Sequence, residues 1–488
     1  AHRRNPPEHL MNQYTGEDQP GNRKVRPRFS SLERFLRLFA RVRPNEGATS
    51  LILATNLFLI LMAYYFIKPV REGWLSISLF RGLTSLELKA YSAFGQSLLL
   101  LAVLPVYAAL AAIWTRRQLI VRTSGAVVVF LVGFWLVQPE LIWDEVPYAG
   151  IAFYMFVGIV SVTLVAQFWS FASDIYGESR GKRLFPLVAI GASAGGALGA
   201  WAGQALIEST LVSAFDLILF AIPPLCIAVA LAIWTDRRGT YGQPTQWTTA
   251  RWHEPAAPHN EGAYRLIARH RYLSATAVTV MLFSWIVASG DNILFGLVQE
   301  SVQLDLAGTA ASPPEMARRI NEATTAFYSD LYFWINTAGL LLQAFLVSRI
   351  LRYGGFMALM LATPLVSLTA YVSMAVAPVI GLIKAMKVAE NSSNYSVNNT
   401  ARHMLWLPVS KDMLYQAKTA IDTLFVRIGD GLAAVTVLIG TRIVTMEVVN
   451  FLWINVILAL FWIPLAVYLA RENRRWRENA PTPPVQPA

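Results

Sequence analysis

Windows of roughly 20 mostly apolar residues recur about twelve times along this chain, and each is long enough to cross a hydrocarbon core of about 30 Å as a helix. The chain is 55% hydrophobic and 15% charged, with a mean hydropathy of +0.44, which excludes a soluble globular protein of 488 residues. We therefore predict an all-α, polytopic membrane protein with twelve transmembrane helices. The predicted spans are 50–69, 90–113, 119–137, 147–171, 184–206, 213–234, 273–297, 327–348, 354–374, 376–398, 417–440 and 448–470.

Basic residues are concentrated in alternate connections between these spans. Ten Lys or Arg residues precede the first span, whereas the intervening connections are acidic or mixed, as at 139–147 with Glu140 and Asp144. By the positive-inside rule the basic connections are cytoplasmic, and twelve helices with both termini inside fit this alternation. The net charge of +11 then reflects topology, and we expect no nucleic-acid binding. The other basic groups are Arg116/Arg117, Arg180/Lys182/Arg183, Arg237/Arg238, Arg349/Arg352, Arg402/Lys411 and Arg471/Arg474/Arg475/Arg477.

The chain divides at its longest central connection. Residues 235–272 are rich in Pro, Arg and Trp, and they separate six spans within 49–234 from six within 273–470. Two six-helix halves joined by a long inner loop are typical of the major facilitator arrangement, in which a ligand binds between the halves and access alternates. Residues 1–48 are predicted to be a cytoplasmic arm and residues 471–488 a cytoplasmic tail.

The sequence disfavours several kinds of site. The single cysteine, Cys226, leaves no disulfide within the chain and no thiol metal site, and all six histidines lie outside the predicted spans. No GxxxxGK[ST] loop for nucleotide phosphates is present. We therefore expect no metal, no cofactor and no ATPase of its own, and a protein that is not an enzyme.

The span at 184–206 carries glycines at four-residue intervals. They are Gly191, Gly195, Gly199 and Gly203. Such a stripe lets two helix backbones approach closely. We expect tight helix packing there and not a ligand contact.

Polar residues at helical spacing interrupt the span at 376–398. They are Lys384, Lys387, Asn391 and Asn394. Positive charge at membrane depth is costly, so it normally faces a protein-lined cavity and indicates a ligand or ion path. The two lysines repel each other unless a carboxylate or a polyanion lies between them, and a di- or triphosphate would satisfy that geometry. The alternative is a structural network with Asp291 or Glu390.

Other charged residues lie at the ends of spans or inside them. Lys68 and Arg71 share a helix face near the end of the first span, where Pro69 interrupts the helix, and Lys89 opens the second span. These side chains either line a cavity or extend to the membrane interface. Asp291 has apolar flanks on both sides, so it is either paired with a lysine or protonated.

Two further spans add charge. Asp174 ends the fourth span near the inner face, a place where charge is usually unremarkable. The eleventh span holds Lys418, Asp422, Arg427 and Asp430, and Lys418 with Asp422 forms a favourable i,i+4 pair.

The segment ARHMLWLPVSKDMLYQAKTAIDTLFVRIGDG, at 401–431, resembles the link between spans 10 and 11 of the bacterial and plastid nucleotide transporters, a family of ATP:ADP antiporters. The matching positions are Arg402, Met404, Trp406, Pro408, Lys418, Ala420, Ile421, Asp422, Arg427 and Gly429. A second match combines Asp174 with the run KRLFPL at 182–187, and weaker likeness extends roughly over 51–469.

The resemblance implies that four charged positions serve nucleotide binding or exchange. They are Lys89, Asp174, Asp291 and Lys418. The sequence departs from the family where Asp291 replaces a Glu, where Pro69 replaces an acid, and where Asp430 stands in place of a common lysine. A reversed charge near the proposed site is compatible with a different substrate.

These features predict a secondary transporter of the bacterial inner membrane that exchanges nucleotides such as ATP and ADP by alternating access. The predicted partners are a nucleotide or other anionic solute and the lipid bilayer, and the oligomeric state is left open. Two alternatives remain: a proton-coupled carrier of another organic anion or lipid-like solute that uses Asp291, and a membrane scaffold without transport. The candidate substrate-binding residues are Lys68, Arg71, Lys89, Asp174, Asp291, Lys384, Lys387, Asn391, Asn394, Lys418 and Arg427.

Overall fold

The regular structure of the chain is helical wherever it is described, as predicted. The structure is a computed structural model that describes residues 31–36, 42–43, 46–78, 80, 82–142, 146, 148–176, 178–209, 212–237, 263–409 and 411–478. Most of the predicted arm, much of the central connection and the end of the predicted tail lie outside the described residues.

The helices fall into a first and a second set along the chain. The first set consists of α1 (Ser31–Leu36), α2 (Gly47–Ile77), α3 (Ser85–Ile113), α4 (Arg116–Leu136), α5 (Ala149–Ile175), α6 (Glu178–Glu208), α7 (Leu217–Phe220) and α8 (Ile222–Arg237). The second set consists of α9 (Ala263–Arg269), α10 (Arg271–Asp305), α11 (Pro313–Leu341), α12 (Val347–Val376), α13 (Ile380–Ser393), α14 (Asn399–Leu405), α15 (Lys411–Ala420), α16 (Val426–Arg442) and α17 (Asn450–Glu478). Single π-helical turns at Leu342–Leu346, Asn394–Asn398 and Ile421–Phe425 join α11 to α12, α13 to α14 and α15 to α16.

Ten helices among the described residues are long and apolar enough to cross a membrane. One of them, Pro313–Val376, runs for 64 residues but is broken at Gly355, whose φ of 66° lies in the left-handed region that favours glycine. The helix that begins at Ile380 and carries Lys384 and Lys387 is not among the ten. The number of twelve crossings therefore stays a prediction.

Two predicted boundaries differ from the structure. The first span does not end near Lys68, because α2 continues through Pro69 to Ile77. The tenth span begins later and ends later than predicted, since α13 starts at Ile380 and the helix runs on through a π turn to Leu405. Lys68 and Arg71 therefore lie well inside a membrane helix.

The glycine stripe of α6 packs against α2, which confirms the predicted close approach of helices. A Cβ atom at Gly191 or Gly195 would collide with the backbone carbonyls of Ala54 or Phe58. The same holds for Gly199 and the backbone at Met62. Any residue larger than glycine at these positions would force α2 and α6 apart.

Buried apolar side chains form one cluster within residues 42–232 and a second mainly within 267–470. The two sets meet where α6 and α2 pack against α11 and where α3 packs against α10 and α16. Large apolar side chains such as Phe130 and Phe461 are exposed on the exterior, as expected for surfaces that face lipid.

Candidate binding cavity between the two helix sets

A cavity of about 250 Å³ lies between the two helix sets. Four cationic and three carboxylate side chains line it: Lys68, Arg71, Lys89, Arg427, Glu72, Asp291 and Asp430. Aromatic and amide side chains complete the lining, among them Phe94, Tyr154, Phe283, Tyr328, Tyr332, Tyr395, Asn292 and Asn391. The cavity thus carries an excess of one positive charge and combines ionic groups with ring faces.

Three of the cations come from the first set, and two of them, Arg71 and Lys89, share one carboxylate. The Arg71 Nε lies 3.0 Å from one oxygen of Glu72, and Lys89 donates to the other oxygen. The Arg71 guanidinium and the Lys89 ammonium also lie 4.7 and 4.4 Å from the ring centre of Tyr154. Lys68 and Lys89 are buried, so the interpretation that these side chains extend to the membrane interface is wrong for them.

Lys68 differs from its neighbours in its partners. Its ammonium lies 3.8 Å from the ring centre of Tyr332 and 5.1 Å from that of Tyr65. Among the described residues, no carboxylate lies within ion-pair distance of Lys68, although the residue is only 7% exposed. Ring faces stabilise a cation, but they do not cancel its charge.

Arg427 belongs to a polar junction between the sets. Its Nη1 atom lies 3.0 Å from Asp430 Oδ2 and donates to the Ser97 hydroxyl at 2.9 Å. Ser97 in turn donates to Asp430 at 2.5 Å, and Ser284 donates to the other carboxylate oxygen at 2.8 Å. The charge of Arg427 is thus balanced by a carboxylate three residues away, and the junction joins α3 to α16 and α10.

Asp291 connects the cavity to a buried network behind it. The Lys387 Nζ lies 3.3 Å from Asp291 and 2.6 Å from Glu390, which also accepts a 2.7 Å hydrogen bond from the Tyr371 hydroxyl. A Cβ atom at position 290 would meet both Tyr371 and Lys387, so Gly290 makes room for this network. Lys387 and Glu390 are fully buried, whereas the side chain of Asp291 is 50% exposed towards the cavity.

Five predicted site residues do not line the cavity. Lys384 pairs with Asp330 of α11, and Lys387 pairs with Glu390 and Asp291, so the structure places carboxylates where a polyanion was predicted to bridge the two lysines. Asn394 is buried in a π turn, and its side-chain amide makes no hydrogen bond to a described residue.

The other two lie in ion pairs at the far end of the bundle. Asp174 is 3.1 Å from Arg116, and Lys418 is 3.6 Å from Asp422, which also pairs with Arg402. Lys384, Lys387 and Lys418 thus each have a carboxylate partner away from the cavity wall, and their predicted role in substrate binding stays a prediction.

Several lining residues were missed in the sequence. Tyr328 and Tyr332 are four residues apart, so their spacing signals one helix face, but tyrosine within a span is also typical of the membrane interface. Glu72 lies four residues after Lys68, so its spacing places it on the same helix face and signals the site. Asp330 does not line the cavity; it pairs with Lys384, and no spacing in the sequence connects the two residues.

Comparison with known proteins gives weak sequence similarity to two carrier proteins. No protein-family model matches the chain. A stretch of 303 residues is 21% identical to the ADP,ATP carrier protein 1 of Chlamydia trachomatis serovar D and covers 55% of this chain and 54% of that protein. The same protein of Chlamydia muridarum gives the same identity and coverage. The match thus spans about half the length of these curated relatives.

Solved structures define the fold. A bacterial homologue of the human lysosomal transporter Spinster, inward-facing and unoccupied, aligns with a TM-score of 0.55 and 14% identity over 91% of this chain and 100% of its own. The POT family transporter PepTSo aligns with a TM-score of 0.58 and 12% identity over 89% and 99%. The fold is of the major facilitator type. The chain is therefore an all-α, multi-pass membrane protein of that architecture.

Proposed function

We propose that this protein is a secondary transporter of the bacterial inner membrane that exchanges nucleotides such as ATP and ADP by alternating access. The observation that carries the proposal is Lys68, a buried lysine on the wall of the cavity between the helix sets, without a carboxylate partner among the described residues. An uncompensated cation in a site of low dielectric constant favours an anionic ligand.

The ring faces of the cavity suit a ligand that also has an aromatic part. Tyr328, Tyr332 and Tyr395 line the cavity close to the cations, and a nucleobase would stack on such rings. The two chlamydial relatives are named ADP,ATP carrier proteins, which supports a nucleotide as the anionic ligand. The volume of about 250 Å³ is below the roughly 300–1,000 Å³ typical of sites for small molecules, so the sets must separate further before a whole nucleotide fits.

Contacts between the two sets support alternating access. We call the end where α3 begins the Glu87 end and the opposite end, where α2 begins, the Glu46 end. At the Glu87 end, Arg442 of the second set lies 2.6 Å from Glu87 of the first, and Gly73 packs directly against Asn321 and Thr325.

At the Glu46 end, the ion pairs between described residues stay within one set. Glu46 pairs with Arg183 at 2.8 Å, and Arg402 pairs with Asp422 at 2.9 Å. Burial acts to raise the pKa of Glu46, but hydrogen bonds from Arg183 and the Arg43 backbone outweigh it, so the pKa is lowered. The sets are thus joined at the Glu87 end, and the predicted topology makes the Glu46 end, where the cavity would open, cytoplasmic.

The proposal is tested by nucleotide exchange in proteoliposomes. Vesicles loaded with ADP should take up labelled ATP, and Lys68→Met should lower the initial rate by roughly 30-fold, since losing a charged contact costs about 2 kcal/mol or more. The control is Arg474→Met, which removes a cation that is 82% exposed in the C-terminal helix, and it should exchange at the wild-type rate.

Two results would contradict the proposal. Internal ADP that fails to drive ATP entry would show that the nucleotide assignment is wrong. Normal exchange by Lys68→Met would show that the cavity cation has no role in binding.

A further inference from the structure

The charges of the cavity balance except at three places. Arg427 is matched by Asp430, and Lys387 behind the wall is matched by Glu390. Glu72 serves both Arg71 and Lys89, which leaves that cluster with one positive charge. Lys68 adds a second positive charge, and Asp291 adds a negative charge whose cation, Lys387, lies closer to Glu390.

Asp291 and Glu390 share Lys387 unequally. Glu390 accepts the shorter contact, 2.6 Å against 3.3 Å, and it accepts a further hydrogen bond from Tyr371. A buried carboxylate with two donors is satisfied as an anion. Asp291 has one longer contact and reaches the water-accessible cavity, so it is the member of the network that can gain a proton from water.

The groups around Asp291 come from several helices. Lys387 and Asn391 face it from α13, Lys68 from α2 and Tyr328 from α11. Tyr395 faces it from the π turn after α13. Lys68 and Asp291 thus carry opposite charges, belong to different helix sets and interact across one cavity.

We propose that Asp291 is the binding site of a proton that is taken up together with the anionic substrate. In the empty cavity, the Asp291 carboxylate attracts Lys68 across the cavity without forming an ion pair with it. An anion that binds at Lys68 removes this attraction and repels Asp291, so a hydronium ion of the solvent transfers its proton to an Asp291 oxygen and becomes water. Lys387 stays with Glu390 throughout, and no covalent bond other than the O–H bond forms.

This inference rests on the proposed function and specifies its coupling. With Asp291 ionised, the three cations Lys68, Arg71 and Lys89 face the two carboxylates Glu72 and Asp291, an excess of one positive charge. A proton on Asp291 raises the excess to two positive charges. The cavity with Asp291 protonated therefore attracts a polyphosphate more strongly than the cavity with Asp291 ionised. The substrate anion and the proton therefore bind with positive cooperativity.

Proton uptake on binding is measured by titrating the detergent-solubilised full chain with ADP. Calorimetry in two buffers of different ionisation enthalpy gives the number of protons taken up per ADP. We expect uptake of about one proton per ADP for the wild type wherever the complex holds the proton and the empty protein does not, and in that range the affinity for ADP should fall about tenfold per pH unit. The Asp291→Asn variant should take up about one proton fewer per ADP. Its affinity for ADP should also lose this dependence on pH.

Three comparisons make the test decisive. The phosphate of ADP itself titrates, but equally in wild type and variant, so the difference isolates the protein group. Asp291→Glu keeps a carboxylate at the site and should retain uptake, which separates a lost proton site from a misfolded protein. Glu390→Gln should retain uptake as well.

The possible failures are distinguishable. If ADP binds and Asp291→Asn still takes up the same number of protons, the proton site is wrong while nucleotide binding stands. If Glu390→Gln abolishes uptake and Asp291→Asn does not, the proton resides on Glu390 and the assignment to Asp291 is overturned. If ADP does not bind the wild type at all, the proposed function fails and this inference fails with it.

Discussion

Lys68 and Lys387 are both buried lysines in membrane helices, yet their surroundings differ in one respect that decides their roles. Lys387 is 1% exposed and has Glu390 within 2.6 Å, so its charge is neutralised by the protein. Lys68 has ring faces around it and no carboxylate at that distance among the described residues. A charge neutralised by the fold serves stability, whereas an unmatched one is available to a ligand.

This contrast predicts how Lys387 behaves on substitution. Lys387→Met should lower the free energy of unfolding by about 3–5 kcal/mol, because it leaves Glu390 buried without a cation. The double variant Lys387→Met with Glu390→Gln should recover most of that loss. Thermal unfolding in detergent measures both.

Substitution of Lys384 is the matched control for the Lys387 and Glu390 variants. Its side chain is 32% exposed, so Lys384→Met should cost about 1 kcal/mol or less. If Lys387→Met were as stable as the wild type and yet defective in exchange, the predicted substrate role of Lys387 would replace the structural one.

At the scale of elements, features that depend on local residue spacing can be predicted from the sequence. Features that depend on contacts with other helices cannot. The α6 glycine stripe was predicted from spacing alone and packs on α2 as expected. The π turn at Asn394–Asn398 gave no signal, because one extra residue in a helical turn is set by packing against neighbours.

The same limit explains the candidate site. Lys68, Arg71, Lys89, Asp291, Asn391 and Arg427 were predicted and line the cavity. Lys384 was predicted with them, but its partner Asp330 lies on α11, distant in sequence, and no spacing rule connects the two. A charged residue at membrane depth can be recognised in the sequence. Which residue it pairs with can be seen only in the three-dimensional structure.

Packing of α6 on α2 predicts a position-specific effect of side-chain volume. Gly195→Leu should lower the free energy of unfolding by about 1–3 kcal/mol, since the side chain would collide with the backbone at Phe58. Gly133→Leu in α4 is the control, because no atom lies within 4 Å of a Cβ there. Equal thermal stability of the two variants in detergent would show that the stripe does not hold α2 and α6 together.

For the whole molecule, the distribution of contacts between the sets explains how one site can open to alternate sides. Glu87 is fully buried at the start of α3, where it accepts from Thr84 in a capping arrangement and from Arg442 and Thr441 of the second set. Arg442 also donates to the Gly82 carbonyl. These bonds are concentrated at the Glu87 end, so opening that end requires breaking a small number of charged hydrogen bonds together with close helix packing.

The Glu87–Arg442 contact therefore sets how often the Glu87 end opens. Charged hydrogen bonds contribute about 1.5–3 kcal/mol, so Glu87→Gln or Arg442→Gln should raise the open population roughly tenfold. The measurement is the rate at which a cysteine at Ala288 on the cavity wall, introduced by Ala288→Cys with Cys226→Ser, reacts with an impermeant maleimide from that side. Arg319→Gln is the control, because Arg319 pairs with Glu315 of its own helix at 2.8 Å and should leave the rate unchanged.

The double variant Glu87→Gln with Arg442→Gln separates a shared contact from two independent effects. Because both changes remove the same ion pair, labelling in the double variant should be close to that of the faster single variant and not to the product of the two increases. Increases that multiply would show that Glu87 and Arg442 act separately. Labelling as slow as in the wild type would show that the helix packing at Gly73, and not the ion pair, keeps this end closed.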